Sequence, residues 1–442
     1  MVSIIFLTCV LTTMLAICML SFKRYLLTPQ FGLLVCFILA LIGCMIYAKR
    51  WNLEFSAITL LVVLAGFASI VFVSLFFQHK YRLNGNLAEA VRRNDGSEIS
   101  VKKVRVIIWT VIQVVNLYLV IQFLRTQTGT LSLQVAINSY RNSIYLTGDA
   151  VALPFFTRVI RSMCIYSSYL FLYLLFYNAV NKIKSKLNKY YIINIVCAAV
   201  TSLLIGGSRG SLLQYLIAGL AIYFTLYTFK YYRAFSFKQV FYALVIAGVF
   251  LLLFGQMSEW LGRGEVEELG DTLFTYLSGG MANLDTYLRH SEFYKTDRNY
   301  TFVELVNFYY RLTGQGHLQY RGLLSDVYMS RRGFGTGNIY TMFASYYHDG
   351  EMAAVVLYCA LMAFIGQWLL KMTINSFRGG RINIPMVIYG YLFFDYIQCN
   401  FSNRFYYQFF TVNMLKFVVF LIAFKFFLTT DLIKIDYKGQ RI

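Results

Sequence analysis

Long, continuous apolar runs separated by short polar segments set the pattern of this chain. The runs are close to the ~20 residues an α-helix needs to cross a bilayer. They do not alternate residue by residue, as the strands of a membrane barrel do. The pattern predicts eleven spans, at about 2–21, 30–48, 53–77, 106–124, 155–178, 190–206, 211–229, 239–256, 351–370, 384–399 and 409–429. Pro29, Pro154 and Pro385 fall at or just before span starts, where a missing N–H costs nothing. One long interruption, 257–350, lies between the eighth and ninth spans.

Inside that interruption, residues 271–288 repeat Leu273, Tyr276, Leu277, Met281, Leu284 and Leu288 at helical spacing, with Asp271 as a plausible N-cap. Gly279 and Gly280 in its middle cost roughly 1 kcal/mol each against alanine. They predict the close approach of another backbone. Residues 301–312 form a second amphipathic stretch. Both stretches are expected either on the membrane surface or packed on each other. Glycines crowd 314–337, which predicts a flexible segment. The whole reads as one membrane domain carrying one large outer loop.

Composition agrees. The 442 residues are 58% hydrophobic and 14% charged, where a soluble protein carries about a quarter charged residues. The net charge of +20 reads as basic residues that orient the spans, not as a nucleic-acid surface. The eight cysteines lie in or at the ends of apolar runs, without CxxC or a Cys/His cluster. Buried thiols are expected, with no disulfide framework and no metal. Lys23 and Arg24 follow the first span and no basic segment precedes it, so an uncleaved, outward-facing N-terminus is expected.

The loops sort by charge. The segments 22–29, 78–105, 179–189, 230–238, 371–383 and the tail from 430 hold nearly all the lysines, and are expected to be cytoplasmic. The segments 49–52, 125–154, 207–210, 257–350 and 400–408 favour arginine. Orientation alone does not choose arginine over lysine. Arginine's planar fork grips phosphate or carboxylate in a bidentate way. The outer face thus looks equipped for an anion, with arginine–carboxylate pairing as the structural alternative.

Several groups are candidates for chemistry. The turn Gly206–Ser211 (GGSRGS) sets Ser208 and Arg209 at an outward-facing helix N-terminus. It is not a P-loop, since the lysine and the preceding strand are absent. Arg263 follows the eighth span, with Glu265, Glu267 and Glu268 beside it. Arg289 and Arg321 lie further along the large loop. Asn338 and Tyr340 lead to His348 and Asp349 at the ninth span, and His317 stands in GQGHLQYRG. His317, His348 and Asp349 are candidate general bases. Asp395 lies within the tenth span with Arg404 beyond it; an ionisable residue in a span is a functional candidate by default, and a structural pair is the alternative. No metal or nucleotide signature is present.

Taken in order, GGSRGS, Arg263, YLSGGMANLD and GNIYTMFASYYHDG resemble the Wzy-type O-antigen polymerase (oligosaccharide repeat-unit polymerase) family over about residues 190–370. The resemblance implies an all-α polytopic inner-membrane protein with a large periplasmic loop, similar to GT-C-like lipid-linked-sugar glycosyltransferases. It implies a metal-independent transfer of a growing glycan from undecaprenyl diphosphate to an incoming lipid-linked repeat unit, with no cofactor. Arg209 and Arg263 match the family's outer arginines. Asn338, Tyr340, Asp349 and Gly350 match its re-entry motif. Gly337 stands where the related ligases tend to have histidine, which favours polymerase. The implied partners are lipid-linked donor and acceptor, membrane lipids, and a chain-length regulator and flippase of the same pathway.

Two alternatives remain open from the sequence. An O-antigen ligase would share the site and differ in acceptor. A lipid-linked oligosaccharide flippase would line a central pathway with charge. The spans are sparing in charge apart from Asp395, Lys416 and Lys425, which disfavours it.

Overall fold

A computed structural model describes residues 1–23, 25, 27–144, 151–206, 210–234, 238–239, 242, 245, 269–324, 327, 329–331 and 334–430. Among the described residues, nine helices are long and apolar enough to cross a membrane. They are α1 (Val2–Phe22), α2 (Pro29–Tyr47), α3 (Ala57–Lys80), α5 (Lys103–Thr128), α7 (Phe155–Asn181), α8 (Asn188–Gly206), α9 (Gly210–Tyr231), α12 (Met342–Ser376) and α15 (Val412–Thr429). Shorter helices fill the gaps: α4 (Leu83–Arg92), α6 (Leu133–Asn142), α10 (Leu269–Arg289), α11 (Val303–Leu312), α13 (Ile384–Ile397) and α14 (Arg404–Phe409). The chain is an all-α, multi-pass membrane protein. The expected eighth span lies almost wholly outside the described residues. The expected tenth is α13, whose 14 residues rise only about 21 Å at 1.5 Å each, less than the ~30 Å hydrocarbon core.

The helices are glued by polar side chains between apolar faces. Gln367 of α12 donates to Gln30 of α2 at 2.6 Å, and Asn194 of α8 donates to Thr110 of α5 at 2.7 Å. Such bonds contribute about 0.6 kcal/mol each in membranes. Phe37, Phe67 and Phe343 of α2, α3 and α12 meet edge to face at 4.9–5.9 Å. Gly66 makes room for them: a Cβ there would sit 2.3 Å from the Phe343 ring.

The loops gather at two ends of the bundle, as the charge pattern predicts. At the lysine-rich end, Lys102 N–H donates to Leu428 (2.9 Å), Gly379 N–H to Arg93 (3.0 Å) and the Tyr177 hydroxyl to Ser97 (2.8 Å). At the arginine-rich end, the segment from α10 to α12 folds down onto the helix tips.

Two expectations change here. Residues 271–288 do not lie on a membrane surface. They belong to α10, whose second half is buried, and Asp271 sits in its first turn instead of capping it. The expected flexible segment 314–337 contains an antiparallel hairpin, β1 (Met329–Arg331) with β2 (Phe334–Gly337). The segment leading into the ninth span is helical from Met342, and the span itself begins as expected at a break, Gly350–Glu351, where Glu351 takes φ 53°. The glycine pair behaves as expected: a Cβ on Gly279 would lie 2.6 Å from the Thr336 carbonyl, and one on Gly280 2.7 Å from that of Asn400.

Candidate functional site at the arginine-rich end

The outer segment is latched by two carboxylates. Asp285 of α10 is fully buried. Its Oδ1 accepts from Ser56 N–H (2.8 Å), Ser56 Oγ (2.9 Å) and Thr59 Oγ1 (2.8 Å) at the start of α3. Its Oδ2 meets Arg289 Nε at 2.9 Å and Arg331 Nη2 at 3.4 Å. Burial pushes this carboxyl up, but the donors from Ser56, Thr59 and Arg289 outweigh it and hold it below the usual carboxylate range. Arg331 also donates to Thr286 (2.6 Å) and the Ala282 carbonyl (3.0 Å). The second latch is Asp349 on α12, which accepts Tyr300 N–H (2.9 Å) and Thr301 N–H (2.7 Å) just before α11. Asn283 of α10 completes the attachment, donating to the carbonyls of Thr336, Gly337 and Ile339 at 2.9–3.2 Å.

These contacts sort the candidate residues. Arg289 is committed to Asp285 and to the Glu54 carbonyl. Asp349 has both oxygens on backbone N–H groups. His348 is held at both nitrogens: Nδ1 lies 3.1 Å from the Tyr287 hydroxyl, and Nε2 3.2 Å from the Thr296 carbonyl. A carbonyl accepts only, so Nε2 carries a proton. His348 borders an open cleft of about 480 Å³ with Lys295, Thr296, Asp297, Gly350 and Glu351. His317 is exposed on a single 3-10 turn after α11. Arg321 and Asn338 are exposed, each with a partner, and Tyr340 is buried with its hydroxyl unpartnered among the described residues. Ser208, Arg209 and Arg263 lie outside the described residues; the expected tight turn falls between the ends of α8 and α9.

Asp395 is different. It is 4% exposed on α13, and its Oδ2 has no hydrogen-bond partner among the described residues. Arg404, on α14, is exposed and within electrostatic reach, but the two form no ion pair among the described residues. Tyrosines surround the carboxyl. Tyr391 stands one turn before it and receives Gln408 Nε2 at 2.5 Å. Tyr391 meets Tyr169 of α7 edge-on at 4.9 Å, and Tyr169 stacks on Tyr215 of α9 at 4.7 Å.

At the other end of this tyrosine row is Arg161 of α7. With Arg158 it belongs among the in-span charges, although neither figures in the charge count that set the flippase aside. An ionisable residue two turns inside an apolar run was the available signal.

No protein-family model matches the chain, and no curated protein or solved structure is similar to it.

Proposed function

We propose that the protein is a polymerase of undecaprenyl-diphosphate-linked oligosaccharide repeat units, working at the periplasmic face of a bacterial inner membrane. In this reading the arginine-rich end faces out, the N-terminus is periplasmic and the C-terminus cytoplasmic. The eighth apolar run and α13 both cross, giving eleven spans. The latched segment 269–341 is then the roof of a site at the membrane rim.

One observation carries the reading: Asp395 is a buried carboxyl near the rim of the bundle whose Oδ2 has no hydrogen-bond partner among the described residues. Transfer between two lipid-linked glycans needs a base for the acceptor hydroxyl and cations for the departing diphosphate. His348 and Asp349 are spent on holding the roof, and His317 is on the surface. Asp395 is the group with an uncommitted oxygen. It takes the acceptor proton as the hydroxyl oxygen attacks the anomeric carbon. The bond to the lipid diphosphate breaks, and that diphosphate leaves on the arginines, with Arg209 and Arg263 as its first holders.

The residue-level test is surface glycan in cells. Asp395→Asn, Arg209→Ala and Arg263→Ala are each expected to abolish polymer at unchanged protein level. Arg209→Lys is expected to restore part of it. Normal glycan from Asp395→Asn removes the base assignment.

A further inference from the structure

Arg161 is a cation placed inside an apolar helix, without a counter-charge among the described residues. Its Nε is buried and has no hydrogen-bond partner among the described residues. Among the described residues, the groups within its electrostatic reach are the hydroxyls of Tyr215, Tyr140 and Tyr166, and none is a carboxylate. Arg93 and Arg331 also leave a buried Nε unpartnered, but their Nη atoms are bonded, Arg331 to Asp285 at 3.4 Å and Arg93 to the carbonyls closing α12 at 2.8–3.1 Å, and Arg50 and Arg289 pair with Asp271 and Asp285.

The surroundings of Arg161 come from three elements. Tyr140 lies on α6, whose apolar side packs with Leu203 and Leu204 near the end of α8 and with Val120 and Leu124 of α5. Tyr166 is on α7 itself. Tyr215 is on α9, held by Ser168 Oγ at 2.9 Å and by Ser202. The residue itself is partly exposed. Desolvating a guanidinium without a partner opposes folding, and natural chains keep such a group when a ligand supplies the missing charge. A guanidinium ringed by hydroxyls, at the arginine-rich rim of a membrane domain, suits a phosphate-type oxyanion on a lipid.

We propose that Arg161 is an oxyanion-binding residue, taking the phosphate or diphosphate of a membrane-embedded lipid between α6, α7 and α9. If the polymerase reading holds, that lipid is the polyprenyl diphosphate, and the row Tyr215–Tyr169–Tyr391 sets its diphosphate apart from the base at Asp395.

The test is binding to the full-length protein in nanodiscs of neutral lipid, with labelled undecaprenyl diphosphate and phosphatidylglycerol as separate probes. Thermal stability is followed in parallel. Arg161→Gln is expected to weaken binding roughly tenfold or more, as for a lost charged hydrogen bond, without lowering the melting temperature. Arg161→Lys is expected to fall between. An Arg161 effect confined to undecaprenyl diphosphate assigns the pocket to the substrate lipid; an equal effect with phosphatidylglycerol keeps the oxyanion site and assigns it to bulk phospholipid. Unchanged affinity for both probes in Arg161→Gln overturns the proposal. So does a destabilised Arg161→Gln whose folded fraction binds normally, or an Arg161→Lys that folds and binds while wild type binds neither more tightly. None of these readouts requires polymer, so failure of the polymerase reading shows separately, as an absence of product with binding intact.

Discussion

Asp349 holds Thr301 by its backbone: the carboxylate Oδ2 accepts the Thr301 N–H at 2.7 Å, while Oδ1 takes the neighbouring Tyr300 N–H at 2.9 Å. The residue that looks like a base in sequence is the pin of the outer segment. Removing it leaves two backbone donors unpaired, a loss on the order of 2–4 kcal/mol for two charge-assisted bonds. Asp349→Ala is expected to increase hydrogen exchange in 296–304 before the membrane helices exchange. Unchanged protection there contradicts the pin.

His348 and Asp395 separate by the same logic. Both His348 nitrogens are engaged, so His348→Gln, which keeps a donor and an acceptor, is expected to reduce polymer formation less than tenfold. Asp395→Asn is expected to reduce it at least a hundredfold, in the range of a lost general base. The reverse order, measured on purified variants of equal stability, makes His348 the base.

Gly280 tests the packing of α10. In an exposed helix Gly→Ala gains roughly 1 kcal/mol. Here the new methyl would meet the Asn400 carbonyl at 2.7 Å, and a forced shift of packed backbone costs typically 1–3 kcal/mol. The clash wins, and Gly280→Ala is expected to lower the melting temperature. A stabilised variant refutes the close approach.

Asp285 makes stability acid-sensitive. Its donors hold the carboxyl below its unfolded value of ~3.9. A depressed carboxyl contributes stability above the unfolded value and loses it as pH falls through the folded one. The melting temperature of wild type is expected to drop below about pH 4. Asp285→Asn is expected to be less stable at pH 7 and to have a shallower acid limb. Parallel curves for the two proteins contradict the latch.

Nine of the expected spans and the sorting of loops to two ends were legible because both rest on composition over many residues. Gly279 and Gly280 were legible because glycine inside a helix has a cost that needs a reason. The outer segment was not. The glycines of 314–337 read as flexibility, yet Gly335 and Gly337 sit in a strand docked on α10 through Asn283. The start of α12 at Met342 was masked by its interior break at Gly350–Glu351. The Ser56 and Thr59 partners of Asp285 lie 226–229 residues away in sequence, a distance no local pattern spans. Arg161 was legible in principle and is overshadowed by the richer loop arginines.

The central claim is tested most directly by reconstitution. Purified protein in lipid is given a defined undecaprenyl-diphosphate repeat unit, without added nucleotide, and the products are separated by size. A ladder of lipid-linked oligomers is the predicted result. Transfer that appears only when a lipid A core acceptor is added contradicts the polymerase and makes the protein a ligase; substrate that crosses the bilayer without any covalent product makes it a flippase.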